Sequence, residues 1–246
     1  MPGPQLSVIY PAYNEPENLR PTVEQSVQAL TDLGVSFEII VVDDGSTDRT
    51  PHIADGLGRE FPPVRVIHNP RNLGQGRSIQ AGFAAAEGEL LIHNGVDYCF
   101  HLDDLRSMLP LIADADIVVA ERTSYPGYTP FRRFMSSANL LLLHTLFGTR
   151  LQDYNFVQLY RRDVWDTLPS RARYAALLTA EKLIRAHDHG LRIRAVPVEY
   201  YERTSGKQTG GVANKNVLTL ALVSLWDVLS FWVRYRFFEV PTASNH

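Results

Sequence analysis

Short apolar runs alternate with longer amphipathic segments through the first half of the chain. The runs are rich in β-branched residues and are interpreted as strands at Leu6–Tyr10, Phe37–Val42, Val64–His68, Leu90–Ile92 and Ile117–Ala120. Runs that are apolar throughout, such as Ile39 to Val42, are typical of parallel strands buried on both faces. The alternation predicts an α/β fold with a Rossmann-like, mostly parallel central sheet flanked by crossover helices.

The segments between the runs have helical periodicity. Within Glu17–Leu33, apolar residues recur every three or four positions, at Leu19, Val23, Val27 and Leu30, so they share one helix face. The same reasoning predicts helices at Thr47–Phe61, Gly76–Ala86, Phe131–Phe147 and Ala175–His189, and two later strands at Tyr154–Tyr160 and Arg192–Val198.

The C-terminal part of the chain contains one long apolar segment. Val217–Val233 is apolar on nearly every side, is interrupted by Asp227 and is followed by Arg234 and Arg236. Its length lies at the lower limit for crossing about 30 Å of hydrocarbon, and a central Asp would cost about 2.5–3.5 kcal/mol there. We therefore expect residues 211–246 to supply an apolar helix that is buried or lies at an interface.

Composition narrows the class of protein. The chain has 246 residues, a net charge of −3, 45% hydrophobic and 21% charged residues, which indicates a globular protein with no basic surplus for nucleic acid. The single cysteine, Cys99, excludes an intramolecular disulfide and a cysteine-based zinc site. The N-terminus lacks the basic and apolar pattern of a signal peptide. We therefore expect a cytoplasmic protein.

Polar residues follow the first two strands where each ends. Tyr13 and Glu15 follow the first strand, and Asp43 and Asp44 follow the second. Ligands of open parallel sheets bind at this edge, and carboxylate oxygens there suit a base N–H or ribose hydroxyls. The aspartates could instead form an Asx-turn and helix cap, as is common before glycine. Both interpretations stay open.

A glycine-containing loop follows the third strand. Asn69–Arg77 opens a helix, and helix N-termini favour anions. Gly74 and Gly76 lack the third glycine of a dinucleotide fingerprint, since Ile79 stands there, and no Gly-Lys-Ser/Thr phosphate loop is present.

In this order, the segments resemble the family 2 glycosyltransferases of the GT-A (nucleotide-diphospho-sugar transferase) fold. The branch they resemble most is the dolichol- or polyprenyl-phosphate one, similar to dolichyl-phosphate mannose synthase. The resemblance spans roughly residues 5–210 and is carried by Val-Ile-Tyr-Pro-Ala-Tyr-Asn-Glu at 8–15, Val-Val-Asp-Asp-Gly-Ser-Thr-Asp at 41–48, Asn-Leu-Gly-Gln-Gly at 72–76, Ala81-Gly82, Asp-Tyr-Asn-Phe at 153–156 and Arg203-x-x-Gly206-Lys207. It implies inverting transfer of a sugar, mannose among the candidates, from a GDP- or UDP-sugar to a polyprenyl or dolichyl phosphate.

The resemblance also implies a division of labour. Residues 1–97 would bind the nucleotide sugar, and residues 98–210 would form the acceptor side of a domain spanning 1–210. The donor-binding residues it implies are Pro11, Tyr13, Glu15, Asp43 as a support, Asp44, Gly74, Gly76 and Asp97. The candidates at the acceptor and the diphosphate are Arg132, Arg133, Asp153, Glu181 and Lys207.

The chain departs from the family at the motif that holds a metal ion. The family's Asp-x-Asp falls on Gly95-Val96-Asp97, and a Gln that often follows falls on Cys99. The resemblance therefore implies Mg²⁺ or Mn²⁺ with Asp97 as the one remaining acidic ligand. Cationic side chains would also offset the leaving diphosphate, and Arg122 and Arg203 are the matching candidates for catalysis beside Asp97.

The nature of the acceptor leaves alternatives. A phosphate oxygen is already ionised and needs no general base, whereas a hydroxyl needs one, for which Glu181 and Asp153 are candidates. A lipid acceptor suits the aromatic segment Trp226–Phe238, which could contact the cytoplasmic membrane face peripherally. The alternatives are a family 2 enzyme acting on a soluble metabolite or saccharide, and a nucleotide-sugar-binding protein without turnover.

Overall fold

The strands and helices follow the expected alternation. The computed structural model describes residues 3–97, 100–125, 129–170, 172, 175–200 and 217–239. The strands are β1 Leu6–Ala12, β2 Phe37–Asp43, β3 Val64–His68, β4 Leu90–His93, β5 Ile117–Arg122, β6 Gln158–Arg161 and β7 Ile193–Val198. The helices are α1 Leu19–Leu33, α2 Thr50–Glu60, α3 Gln75–Ala85, α4 Leu105–Met108, α5 Pro130–Phe147, α6 Arg162–Thr167, α7 Ala175–Asp188 and α8 Val217–Phe238.

The strands form one sheet in the order β3-β2-β1-β4-β6-β5-β7. Strand β6 is antiparallel to both of its neighbours, and the remaining pairs are parallel. The predicted α/β class and mostly parallel sheet are confirmed.

Helices cover both faces of the sheet. Along β1, Val8 and Tyr10 belong to the core that includes residues of α1 and α2, whereas Ile9 belongs to the core with Ile79 and Phe83 of α3. The chain therefore leaves β1 across one face and reaches β4 across the other. This arrangement makes the carboxyl ends of β1 and β4 a topological switch point, where open α/β sheets bind ligands.

Helix α2 and strand β6 start three and four residues later than the sequence indicated, the largest such delays. Helix α2 begins at Thr50 because the amide of Thr47 donates to Asn14 Oδ1 and the amide of Thr50 donates to Asp48 Oδ1. Strand β6 begins at Gln158 because Asp153 first forms a turn, in which its Oδ1 accepts from the Asn155 amide.

Helix α8 occupies the predicted C-terminal segment and extends to Phe238. It packs on α5 and α7, and Phe231 stacks on Phe147 and on Tyr235, each at 5.3 Å between ring centroids. In the ranges that the structure describes, no helix combines the length and apolarity needed to cross a bilayer.

Candidate active site

The loops after β1 and β2 are joined by hydrogen bonds in both directions. Asn14 has a left-handed backbone (φ 54°), its amide donates to Ser46 Oγ at 3.0 Å, and its Oδ1 accepts from Thr47 N at 2.9 Å. The amide of Glu15 donates to Thr50 Oγ1 at 2.9 Å. These three bonds fix the two loops as one surface at the carboxyl edge of the sheet.

Of the predicted donor residues, Tyr13 and Glu15 lie in the first loop, and Pro11 lies within β1. Pro11 is buried at the end of β1, and Tyr13 and Glu15 are half-buried. The carboxylate of Glu15 accepts from Asn18 Nδ2 at 2.6 Å, so its position is set from the start of α1.

Asp43 supports the turn after β2. Its buried carboxylate accepts from the Ser46 amide at 3.0 Å through Oδ1 and bonds His68 Nδ1 at 2.9 Å through Oδ2. The bond to an amide three residues on has the pattern of a cap, which is part of the structural alternative that the sequence left open, and it leaves Asp43 in a structural position beneath the loop surface.

Asp44 accepts three hydrogen bonds from the loop after β3. Its Oδ1 accepts from Asn69 Nδ2 at 2.8 Å and from Leu73 N at 2.9 Å, and its Oδ2 accepts from Gly74 N at 2.9 Å. The carboxylate is buried. Asp44 therefore orders the loop that leads into α3 and lies where the second and third loops meet.

Two glycines allow these loops to approach each other. Gly45 has φ 68°, and a Cβ there would collide with the backbone of Arg71 and Asn72. Gly74 has φ 93° and precedes α3, whose second residue, Gly76, is buried. The N-terminus of α3 thus faces the same loop cluster, as a phosphate site requires.

Asn94 organises the turn after β4, a role that sequence reasoning missed because Asn94 precedes the family's acidic motif. Its backbone amide donates to Ile9 O at 3.0 Å. Its side-chain Nδ2 donates to Phe100 O at 3.0 Å, and its Oδ1 accepts from Gly95 N at 2.9 Å. A buried Asn at a strand end was the available signal.

Asp97 lies on this turn and is half-buried. A Cβ at Gly95 would collide with Asp97 Oδ1, so the carboxylate folds back against the backbone of Gly95. Within the described ranges, no group of three or more His, Cys, Asp or Glu side chains could hold a metal ion. Asp97 is thus the one acidic residue at the family's metal position, while Cys99 lies outside the described residues.

Arg122 and Asp153 form one ion pair at the end of β5. Arg122 Nε and Nη2 donate to the two oxygens of the buried Asp153 carboxylate at 2.6 and 3.0 Å. The rings of Tyr125, Phe156 and Tyr200 lie 5.0, 5.0 and 5.6 Å from the guanidinium carbon. Sequence reasoning gave the two residues separate roles, and the structure brings them together.

Glu181 lies away from solvent on α7. Its Oε1 accepts from Arg185 Nη2 at 2.8 Å, and its Oε2 accepts from Ser170 Oγ at 2.6 Å. Arg185 also pairs with Glu239, just beyond α8. The carboxylate therefore links α7 to the end of α8, and the predicted role for Glu181 at the acceptor stays a prediction.

The remaining cationic candidates are less well defined. Arg133 is exposed on α5. Arg132 belongs to the same helix, but its side chain is outside the described residues, as are Arg203 and Lys207.

His93 ends β4 within the core. It is buried, its ring meets Phe83 edge-on at 6.2 Å, and burial lowers its pKa to about 4. The ring is therefore neutral at physiological pH.

Similarity to known proteins agrees with this architecture. Residues 7–169 match the sequence model of Glycosyl transferase family 2. A dolichyl-phosphate β-glucosyltransferase of Trichomonas vaginalis is 26% identical over 243 residues, covering 92% of this chain and 75% of that protein. A dodecaprenyl-phosphate galacturonate synthase of Rhizobium johnstonii is 26% identical, covering 94% and 68%.

Among solved structures, glucosyl-3-phosphoglycerate synthase of Mycobacterium tuberculosis, in complex with Mn²⁺, UDP and phosphoglyceric acid, superposes with a TM-score of 0.67. Its sequence is 20% identical, and the match covers 98% of this chain and 81% of that one. The expected GT-A fold is confirmed. The loop cluster at the switch point and the match over 7–169 lead to one conclusion: the chain belongs to glycosyl transferase family 2.

Proposed function

We propose that this glycosyltransferase moves a sugar from a GDP- or UDP-sugar to a polyprenyl phosphate, with inversion at the anomeric carbon. The observation that carries the proposal is the joined loop cluster at the switch point, where Glu15 bonds Thr50 and Asp44 bonds Gly74 at the carboxyl edge of the sheet. The names of the relatives, a dolichyl-phosphate and a dodecaprenyl-phosphate sugar transferase, support the acceptor class.

In the proposed reaction, an ionised oxygen of the lipid phosphate attacks the anomeric carbon of the donor sugar. The bond from that carbon to the diphosphate oxygen breaks, and its electron pair leaves with the nucleoside diphosphate. No proton has to be removed from the acceptor. This removes the need for a general base, which suits an Asp153 engaged by Arg122 and a Glu181 engaged by Arg185.

We assign the donor's nucleoside to the surface formed by Pro11, Tyr13, Glu15 and Asp44. The diphosphate then lies between the N-terminus of α3 and Asp97. Arg122 and Arg203 would carry positive charge toward the leaving group, where preorganised charge contributes most.

A divalent ion fits this site only in part. Asp97 supplies one carboxylate, and Mg²⁺ is commonly held by one or two carboxylates together with substrate phosphates and water. Mg²⁺ or Mn²⁺, when bound, would offset charge on the diphosphate. Transfer measured with added Mg²⁺ and with EDTA tests this assignment, and equal rates would exclude it.

A membrane surface suits the exposed side of α8. Trp226 and Phe238 are 71% and 79% exposed, and Leu229 and Val233 lie on the same open groove with Arg234. On α5, which α8 contacts, Phe134 and Leu141 are each 66% exposed. Aromatic residues beside arginines favour a peripheral position at the cytoplasmic membrane face, where a lipid acceptor would be reached.

Vesicle sedimentation tests the membrane contact. We expect the triple variant Trp226→Ser, Phe237→Ser, Phe238→Ser to bind vesicles of mixed neutral and anionic lipids much less than wild type. A variant with three exposed polar residues of α1 replaced, Glu24→Ser, Gln28→Ser and Asp32→Ser, is the control. Equal sedimentation of wild type and the triple variant would refute the membrane assignment.

The function itself is tested with a panel of GDP- and UDP-sugars and undecaprenyl phosphate in vesicles, followed by mass spectrometry of the lipid extract. We expect one donor to yield a lipid-linked monosaccharide, and Asp97→Asn to reduce its rate at least tenfold, about 1.4 kcal/mol in barrier. Sugar found only on a soluble acceptor, or donor binding without any transfer, would favour one of the two alternatives instead.

A further inference from the structure

His68 ends β3 with its ring between two carboxylates. Nδ1 lies 2.9 Å from Asp43 Oδ2, and Nε2 lies 3.0 Å from Asp55 Oδ1 of α2. A neutral imidazole has one N–H and can donate to one of them, whereas an imidazolium donates to both. Two carboxylate partners at hydrogen-bonding distance therefore fit the charged ring.

The bridge lies directly beneath the loop cluster. Asp43 Oδ1 accepts a hydrogen bond from the Ser46 amide. The backbone carbonyl of Asp43 accepts one from the amide of Asn69, the residue that follows His68. Asn69 in turn donates to Asp44, whose carboxylate orders Leu73 and Gly74. Asp43 and His68 are each followed directly by the first residue of a loop at the proposed donor site. A change in the bond between them would therefore act on both loops.

We propose that His68 is a positioning residue for the donor: as an imidazolium bridging Asp43 and Asp55, it holds the turn after β2 in the shape that binds the nucleoside. The inference rests on the proposed function, because it concerns the affinity of the same site for a nucleotide sugar.

The electrostatic surroundings agree with this role. Hydrogen bonds to Asp43 and then to Asp55 raise the pKa of His68 above its ordinary value of 6.5. These carboxylates face the ring from β2 and from α2. Because the pKa of the folded protein is raised, the bridge is complete below about pH 6.5 and is lost as the pH rises through the higher value.

The test measures the binding of UDP-glucose and GDP-mannose by calorimetry across this pH window, since neither ligand titrates there. The nucleotide sugar that binds more tightly is used as the probe. We expect its affinity to fall about three- to fivefold as His68 loses its proton, the size expected for a partly exposed charged pair. Proton NMR of the His68 ring locates the midpoint independently of binding.

Three variants separate positioning from mere folding. His68→Gln is expected to bind more weakly at low pH and to lose the pH step, and His52→Gln, at an exposed site on α2, is expected to keep it. Asp55→Asn keeps an acceptor but removes a charge, so it should move the midpoint to lower pH while binding at low pH is retained. A loss of structure would also lower the midpoint, but it would abolish binding at every pH, so the retained binding at low pH separates the two cases.

Binding of neither nucleotide sugar by folded wild-type protein would refute the proposed function and the inference with it. Binding that does not change with pH, or a pH step that persists in His68→Gln or has the same midpoint in Asp55→Asn, would refute the inference alone.

Discussion

The carboxylate of Asp44 joins two loops that are far apart in the chain. Its oxygens accept hydrogen bonds from Asn69, Leu73 and Gly74, all at 2.8–2.9 Å. The side chain is buried, so a lost acceptor would leave backbone N–H groups without a partner, which costs more than the bond itself contributes.

Asp44→Asn tests this arrangement. The amide brings a donor toward N–H groups that need an acceptor, and we expect unfolding free energy to fall by about 1–3 kcal/mol. Nucleotide-sugar affinity should fall with it. Urea denaturation and calorimetry measure the two effects, and Asp114→Asn, at an exposed site, serves as the control. A variant as stable as wild type would contradict the role given to Asp44.

The positions of single residues could be predicted from the sequence more often than their hydrogen-bond partners. The position of Asp43 and Asp44 at a strand end followed from the apolar run before them, whereas the structural role of Asp43 was one of two interpretations that the sequence left open. The partners of Asp44 did not, because they lie 25 to 30 residues away. The pairing of Arg122 with Asp153 likewise depends on tertiary structure, since 31 residues separate them.

At the scale of elements, α3 connects the donor loop to the core. Gly82 faces the sheet, and a Cβ there would lie 2.6 Å from Ile9 Cγ2 and 3.1 Å from Val42 Cγ2. The helix therefore approaches the sheet more closely than an alanine would allow. Its N-terminus, at Gly74 and Gln75, takes its position from this contact.

Gly82→Ala is expected to push α3 away from the sheet. Overpacking of this kind costs about 1–3 kcal/mol, and the displaced N-terminus should weaken nucleotide-sugar binding as well. Gly56→Ala is the matched control, because a Cβ there meets only the end of Arg20 at 3.7 Å. That helical substitution should stabilise the protein by about 0.5–1 kcal/mol. Equal stabilisation by both changes, measured by urea denaturation, would contradict the close approach of α3.

The sequence predicted the elements themselves better than their limits. Short apolar runs located the seven strands, and apolar periodicity near 3.6 residues located most of the long helices. It did not locate the short helices α4 and α6, whose few residues carry too little periodicity. It also did not give the direction of β6, which depends on the connection through α5 and not on the strand's own residues.

At the scale of the whole molecule, His93 links stability to pH. Its pKa is lowered by burial from 6.5 to about 4, so the unfolded chain binds a proton more readily than the folded one. Stability contributed by the neutral ring is present above pH 6.5 and is lost as the pH falls toward 4. A shift of this size corresponds to about 3 kcal/mol.

His93→Leu should remove most of this acid sensitivity. We expect the unfolding free energy of wild type to fall more steeply than that of the variant between pH 6.5 and about 4. His52→Leu is the control at an exposed position. The two slopes are compared by urea denaturation at a series of pH values, and parallel slopes would show that His93 is not the group responsible.

The central claim for the whole molecule is that the acceptor is a phosphate, whose oxygen attacks without a general base. The most direct measurement compares initial rates of sugar transfer to undecaprenyl phosphate and to undecaprenol, which share one lipid chain, in the same vesicles and with the same donor. We expect transfer to the phosphate and none to the alcohol. Transfer to undecaprenol at a comparable rate, or to a soluble saccharide in preference to both lipids, would contradict it.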